Sequence, residues 1–293
     1  MKGDKRPTLI AIANLKGGTG KTTIAAWLSC ALACSGRQVV LIDLDPQAHL
    51  TSIWLDKRHM SLWVDPKLNI IKPNVWDYIS GGESKGLLRR TWGFKNLKVV
   101  PSDIEEYVKC WNESRFPDSQ KSSSFRREPA LLDNDYVIFD CPPDPGYARL
   151  GVYASDFVIV PTDLTSISLR GTELFITRIL LSAMGVNDYT RFLGVIVNRA
   201  RRISKEAQKK FDEITSKLMD KLKEPERVRL KGRIHNPMLF DTKIPQSVKI
   251  GGIVTGKAQA ILMAFKRGSE AANIFMELAK EVETRIRFFK GYP

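Results

Sequence analysis

The sequence predicts an α/β fold: one doubly wound, mostly parallel sheet with helices on both faces. Three observations predict it. Short continuous runs of Val, Ile, Leu and Phe recur along the chain, longer helix-like stretches separate them, and acidic, glycine or proline residues follow the ends of the runs. Uninterrupted apolar runs suit strands buried on both faces, and alternation with helices suits parallel crossovers. In such sheets ligands bind beyond the strand ends, which directs attention to the residues that follow each run.

The first run, "TLIAIAN" at 8–14, leads into "LKGGTGKTT" and then into "IAAWLSCALACSG", an Ala- and Leu-rich helix closed by Gly36. The second, "QVVLIDLD" at 38–45, ends in two acids. "LKVVPS" at 97–102, "DYVIFDCPP" at 135–143, "DFVIVPTD" at 156–163 and "RFLGVIVNR" at 191–199 repeat the form. Residues 204–222 place Phe211, Ile214, Leu218 and Leu222 at helical spacing with lysines opposite, and a last helix is expected over 269–289. Residues 52–96 look less regular, and the serine-rich stretch at 114–128 is expected to be a polar surface loop. No stretch reads as an interdomain linker and no repeat is visible, so 1–293 is expected to be one domain.

With 46 Lys+Arg against 32 Asp+Glu the chain carries +14, which points to an anionic partner, either nucleic acid or an acidic membrane surface. Residues 199–233, a basic helical region, hold thirteen Lys/Arg and six Asp/Glu, half of the whole excess. Cys30 and Cys34 lie at i, i+4 with no His or further Cys near enough to complete a metal site. They, Cys110 and Cys141 read as packed thiols of a reducing cytoplasm. No apolar run approaches the length of a membrane span, and the first is too short for a signal segment, so a cytoplasmic protein is expected.

Strand, glycine-rich turn and helix make the context of a phosphate loop, in which backbone N–H groups and a helix N-terminus cradle phosphates. Within it Lys21 suits the β- and γ-phosphates and Thr22 suits Mg²⁺. The loop's opening departs from the usual pattern. Leu15 stands where a glycine is expected, and an extra lysine, Lys16, precedes Gly17 and Gly18. A side chain at Lys16 is expected to leave its own loop and to serve a phosphate in a facing subunit, making ATP the joint of a dimer. Asp140 ends a buried apolar strand and suits Mg²⁺ through water. Asp43 and Asp45 close the second strand run; an acid at that place can face the phosphates and orient an attacking water, while the other only finishes the strand.

The motifs "KGGTGKTT", "LIDLDPQAHLTS", "VIFDCPP" and "FVIVPTD", in order along nearly the whole chain, resemble the deviant Walker A ATPases of the ParA type, which partition plasmids and chromosomes. The resemblance implies ATP and Mg²⁺ as cofactors. It implies that Gly17, Gly18, Thr19, Gly20, Lys21, Thr22 and Thr23 hold the nucleotide, and that Lys16 crosses an ATP-bound homodimer. Asp45 then positions the water for catalysis beside Lys16 and Lys21, and Thr22, Asp43 and Asp140 form the metal set. Asn198 and Arg199 of the "VNR" turn, with Pro245 of "KIPQSVK", would surround the adenine. Sequence-independent binding of double-stranded DNA maps to Arg201, Arg202 and Lys249, and a centromere-binding, ParB-like adaptor would stimulate hydrolysis. Two features depart from the family: Gln246 replaces an arginine, and "IGGIVTGKA" follows Lys249. The strand starts by Thr8, so no helix-turn-helix extension and no operator binding are expected.

The same residues allow two alternatives. A MinD-like membrane-associated ATPase would use Ile286, Phe288 and Phe289 of the last helix as an amphipathic anchor. An electron carrier would need cysteines able to bridge a cluster across a dimer, and neither Cys110 nor Cys141 is placed for it. The sequence therefore favours DNA as partner and makes a membrane the lesser reading.

Overall fold

Each apolar run becomes a strand because its alternate residues find two separate cores. In β1 (Thr8–Ile12) Leu9 and Ala11 join one core while Ile10 and Ile12 join the other, and β5 (Tyr136–Asp140) divides Val137 and Phe139 from Ile138 in the same way. The computed structural model describes residues 6–54, 71–82, 84–91, 93–112, 119–200, 205–221, 239–246, 250 and 258–290. Together with β2 (Val39–Asp43), β3 (Arg89–Arg90), β4 (Leu97–Val100), β6 (Phe157–Thr162), β7 (Arg191–Ala200) and β8 (Ile244–Pro245) these strands form one eight-stranded sheet. Its order is β3-β4-β2-β5-β1-β6-β7-β8, and every pairing is parallel except β3 with β4. The expected doubly wound sheet is therefore present, and all six sequence-predicted strands belong to it.

Helix α1 (Lys21–Cys34) is apolar on nearly every side and is buried accordingly. One face lies on the sheet. The other meets α11 (Ala258–Lys266) and α12 (Glu270–Phe289), where the Trp27 ring stacks on Phe275 at 5.2 Å and meets Phe265 at 5.7 Å. The α2 helix (His49–Trp54) follows β2, and α3 (Val75–Ile79) and α4 (Ile104–Asn112) flank β4. The opposite core is covered by α7 (Pro145–Ala154), by α8 (Ser166–Phe175) running through a π turn at Ile176–Leu180 into α9 (Leu181–Val186), and by α10 (Lys205–Lys221). Between β4 and β5 lie α5 (Ser119–Ser124), a 3₁₀ turn at Phe125–Arg127 and α6 (Pro129–Leu132).

Three expectations change here. Residues 119–127 are helical rather than a loop, because Phe125 sinks to 1% exposure against Phe139 and Tyr78 and Glu128 caps α6 ahead of Pro129, while 114–118 of the expected loop lie outside the described residues. Cys34 is exposed, while Cys30, Cys110 and Cys141 are buried, and all four are free thiols. The two short edge strands β3 and β8 have no counterpart in the sequence reading. The last helix starts as expected, with Ser269 Oγ accepting from the Ala272 N–H at 3.2 Å. Its apolar end is packed: Ile286 is buried, and the Phe289 ring lies 5.7 Å from that of Phe157. No described helix is long and apolar enough to cross a membrane. Of the basic region at 199–233, residues 201–204 and 222–233 lie outside the described residues.

Candidate functional site

The carboxyl ends of β1, β2 and β5 finish level with one another, since Ile12 and Asp43 both pair with Asp140 across the sheet. The glycine loop leaves β1 at this edge. Asn14, fully buried, anchors its entry: its side-chain amide donates to the Pro161 carbonyl at 2.7 Å and to Thr172 Oγ1 at 3.0 Å, while its Oδ1 accepts from the Lys16 N–H at 3.1 Å. The strand run thus ends in a polar residue that ties the loop to β6 and α8. Gly171 of α8 then lets the loop approach, because a Cβ there would lie 2.8 Å from Lys16 Cβ.

Within the loop Gly18 has φ +76° and Gly20 has φ +95°, conformations that favour glycine. At Gly20 a side chain is excluded twice over, for a Cβ would also fall 2.0 Å from Asn198 Nδ2. A Cβ at Gly17 or Gly18 would meet nothing within 4 Å, so this side of the loop is an open cradle. Gly20 caps α1 without a side-chain hydrogen bond, which leaves first-turn N–H groups for an anion. Thr19 is buried, and Thr22 and Thr23 are half-buried in the first turn of α1.

The two lysines differ sharply. Lys21 is 7% exposed, its Nζ donates to the Lys16 carbonyl at 3.2 Å, and burial lowers its pKa against the opposing pull of Asp140. Lys16 is only half-buried, and its Nζ rests on the Gly17 carbonyl at 3.1 Å on the solvent side of the loop. One cation lies inside the cradle and the other on its rim.

Asp140 is 1% exposed, and neither carboxylate oxygen has a hydrogen-bond partner among the described residues. Burial and then the charge of Asp43 push its pKa well above the carboxylate range. The Thr22 hydroxyl and the Lys21 amine oppose that shift, although Thr22 makes no hydrogen bond of ordinary geometry with Asp140. A buried carboxylate with two open oxygens, beside a hydroxyl and an amine, is a donor set that a hard divalent cation satisfies.

Asp43 is arranged differently. Its Oδ2 accepts from the Thr51 N–H at 2.8 Å and the Thr51 hydroxyl at 2.7 Å, and its Oδ1 accepts from the Asp45 N–H at 3.0 Å. Burial raises its pKa to about 7. Both oxygens are engaged in bracing the turn into α2, so the open carboxylate beside Thr22 is Asp140. Asp45 stands just past the end of β2, half-buried, with Oδ1 accepting from the Gln47 N–H at 2.9 Å. Its charge acts on Lys21, Asp43 and Asp140 alike, which places it at the same cluster.

Across the loop, β7 and β8 gather the remaining expected residues. Asn198 is buried and donates from Nδ2 to the Thr19 carbonyl at 2.8 Å, Arg199 is exposed with φ +53°, and Pro245 pairs with Ala200. Arg201, Arg202 and Lys249 lie outside the described residues. Asn14, Thr51 and Gly171 were missed in the sequence. A buried Asn closing an apolar run was a visible signal for the first, whereas the other two depend on contacts eight and more than a hundred residues away.

A glycine cradle between a buried strand and an uncapped helix, with a buried lysine and an open carboxylate on the neighbouring strand, defines a P-loop nucleotide site. The AAA_31 family, an AAA domain, matches residues 7–189, and the chain belongs to that family. Sporulation initiation inhibitor protein Soj of Bacillus subtilis (strain 168) is 25% identical over 278 residues, spanning 94% of this chain and 97% of Soj. Among solved structures, apo McdA from Cyanothece matches with a TM-score of 0.70 at 22% identity, over 94% of this chain and 99% of McdA. A ParA structure, pnob8 ParA, matches with a TM-score of 0.71 at 20% identity, over 96% and 99% of the two chains. The protein is a P-loop ATPase of the ParA type; a structure of the same fold is solved with an ATP analogue and magnesium, and the residues at the loop fit both.

Proposed function

We propose that this is a partition ATPase whose ATP-bound homodimer binds double-stranded DNA without reading its sequence, and that an adaptor bound to a centromere stimulates hydrolysis and releases it. The observation that carries the reading is the division of the two lysines. Lys21, buried within the cradle, serves the phosphates of its own subunit together with Gly17, Gly18, Thr19, Gly20, Thr22 and Thr23. Lys16, on the rim, is free to serve a phosphate held by the facing subunit. Thr22 and Asp140 hold magnesium, which when bound supplies positive charge to the phosphate oxygens. Asp43 braces the turn that carries Asp45, and Asp45 orients the attacking water. Asn198, Arg199 and Pro245 surround the base. Loss of the γ-phosphate removes what Lys16 holds, so the dimer is the two-state element.

The DNA contacts are assigned to Arg201, Arg202 and Lys249, with support from the +14 chain and its concentration of positive charge at 199–233. Basic side chains on phosphates give affinity that falls with salt and ignores base sequence. The membrane alternative has less support, since Ile286 and Phe289 pack on the core. The test is binding to two unrelated duplexes with ATP, with ADP and without nucleotide, over a salt series. Binding of both duplexes only with ATP, steeply weakened by salt and lost in Arg202→Glu/Lys249→Glu, is expected. Weak binding in every nucleotide state, with ATP-dependent recruitment to anionic liposomes, would overturn the DNA reading.

A further inference from the structure

The last helix contains a fully buried arginine. Arg285, 1% exposed, donates from Nη2 to the Leu239 carbonyl at 2.5 Å and from Nη1 to the Leu193 carbonyl at 3.2 Å. Its Nε donates to Glu281 Oε1 at 3.0 Å, and its guanidinium carbon lies 4.2 Å from the centre of the Phe240 ring. Glu281 in turn accepts the Asp241 N–H at 2.9 Å and the Thr242 N–H at 3.0 Å. The pair therefore grips the backbone of one segment, 239–242, from both its carbonyl and its amide side.

A buried ion pair is a poor source of stability compared with apolar packing, so its use here calls for a reason in what it holds. The held segment runs directly into β8, a strand of two residues that among the described residues pairs only with the end of β7, Ile244 on Asn198 and Pro245 on Ala200. A ladder that short cannot by itself offset the entropy of ordering its chain. The sheet is shaped to receive the grip. Gly194 has φ +144°, and a Cβ there would lie 2.8 Å from the Phe240 ring and 3.1 Å from Arg285 Nη1. The pairing of β6 with β7 shifts register at the same place, and the Phe240 N–H then donates to the Val195 carbonyl at 2.9 Å.

We propose that Glu281 and Arg285 are positioning residues for nucleotide base recognition, fixing from α12 the segment that carries Pro245 against Asn198. The inference rests on the reading that puts the base beside those two residues. It assigns ATP affinity and base preference partly to a helix that touches neither phosphate nor base.

The experiment uses the full chain and four probes: ATP, GTP, inorganic triphosphate and 8-azido-ATP. Glu281→Gln and Arg285→Lys disturb the grip while keeping side-chain size. Thr242→Pro removes one accepted N–H and leaves α12 untouched, so a folding defect in either helix variant does not end the test. In all three, ATP affinity is expected to fall about tenfold, the worth of one hydrogen bond to a base. Triphosphate affinity is expected to stay within about twofold, and the preference for ATP over GTP to shrink by a similar factor to the ATP loss. A parallel fall of ATP and triphosphate affinity, or no change in either, would overturn the positioning role. Photolabelling separates the two layers of the argument. Label on residues 239–246 of the wild type supports the base site, and label elsewhere removes both that reading and this inference. Label there with unchanged ATP/GTP preference in the variants removes the inference alone.

Discussion

The glycine-loop side of the site and the side proposed to hold the base are built by opposite means. On the phosphate side, Asp140, Asp43 and the glycine loop sit at the ends of central strands, β1 and β2 each pairing with β5 over five residues, that are sealed on both faces. On the base side, Asn198 and Pro245 sit at the sheet edge, where a two-residue strand is held by side chains from α12. The first arrangement is rigid because the sheet makes it so. The second has its stability placed in a few hydrogen bonds, which suits a part that must admit and release a nucleotide. Asn198 joins the two through the Thr19 carbonyl.

Substitutions can sharpen or break this contrast. Asp45→Ala is expected to have the largest effect, lowering kcat by about 10²–10³-fold through loss of water orientation while ATP affinity holds; unchanged turnover in a single-turnover assay would remove Asp45 from the chemistry. Lys21→Ala should weaken ATP and inorganic triphosphate alike, by about 100-fold for a charged hydrogen bond lost in a buried site, and calorimetry that finds only the ATP affinity altered would break the division between the two sides. Gly194→Ala, on the base side, forces a Cβ into Phe240 and Arg285. It should cost about 1–3 kcal/mol in denaturant unfolding and reduce ATP affinity while sparing triphosphate. The smallest expected effect has the opposite sign. Asp140→Asn replaces a buried carboxylate with two open oxygens by a neutral isostere, so without nucleotide the variant should be more stable by about 1 kcal/mol. Thermal melts should show that gain reversed when Mg²⁺ and ATP are added, which stabilise only the wild type.

The same contrast explains what could be read in the chain. The phosphate side is local: a strand, a glycine turn, two lysines and acids at strand ends lie in continuous words such as "NLKGGTGKTT" and "YVIFDCPP", so periodicity and loop chemistry found them. The engagement of Asp43 was not legible, because it depends on Thr51 folding back from α2. Lys16's path was legible in kind, yet its placement rests on Gly171, whose missing side chain lets α8 meet the loop. The base side was legible only through the resemblance of "VNR" and "KIP". Glu281 and Arg285 sit in a helix whose sequence pattern announces an ordinary amphipathic face, and nothing local marks two of its polar residues as partners of a segment some forty residues earlier. The serine-rich stretch failed for a related reason: one buried Phe125 outweighs the polar composition around it.

The central claim is that Lys21 acts within its own subunit and Lys16 across to the other. The measurement that tests it most directly is sedimentation of Asp45→Ala and of Asp45→Ala/Lys16→Ala with Mg²⁺ and ATP, alongside their ATP affinities. The first is expected to sediment as a dimer and the second as a monomer that still binds ATP. A Lys16→Ala chain that dimerises as readily as its parent would contradict it.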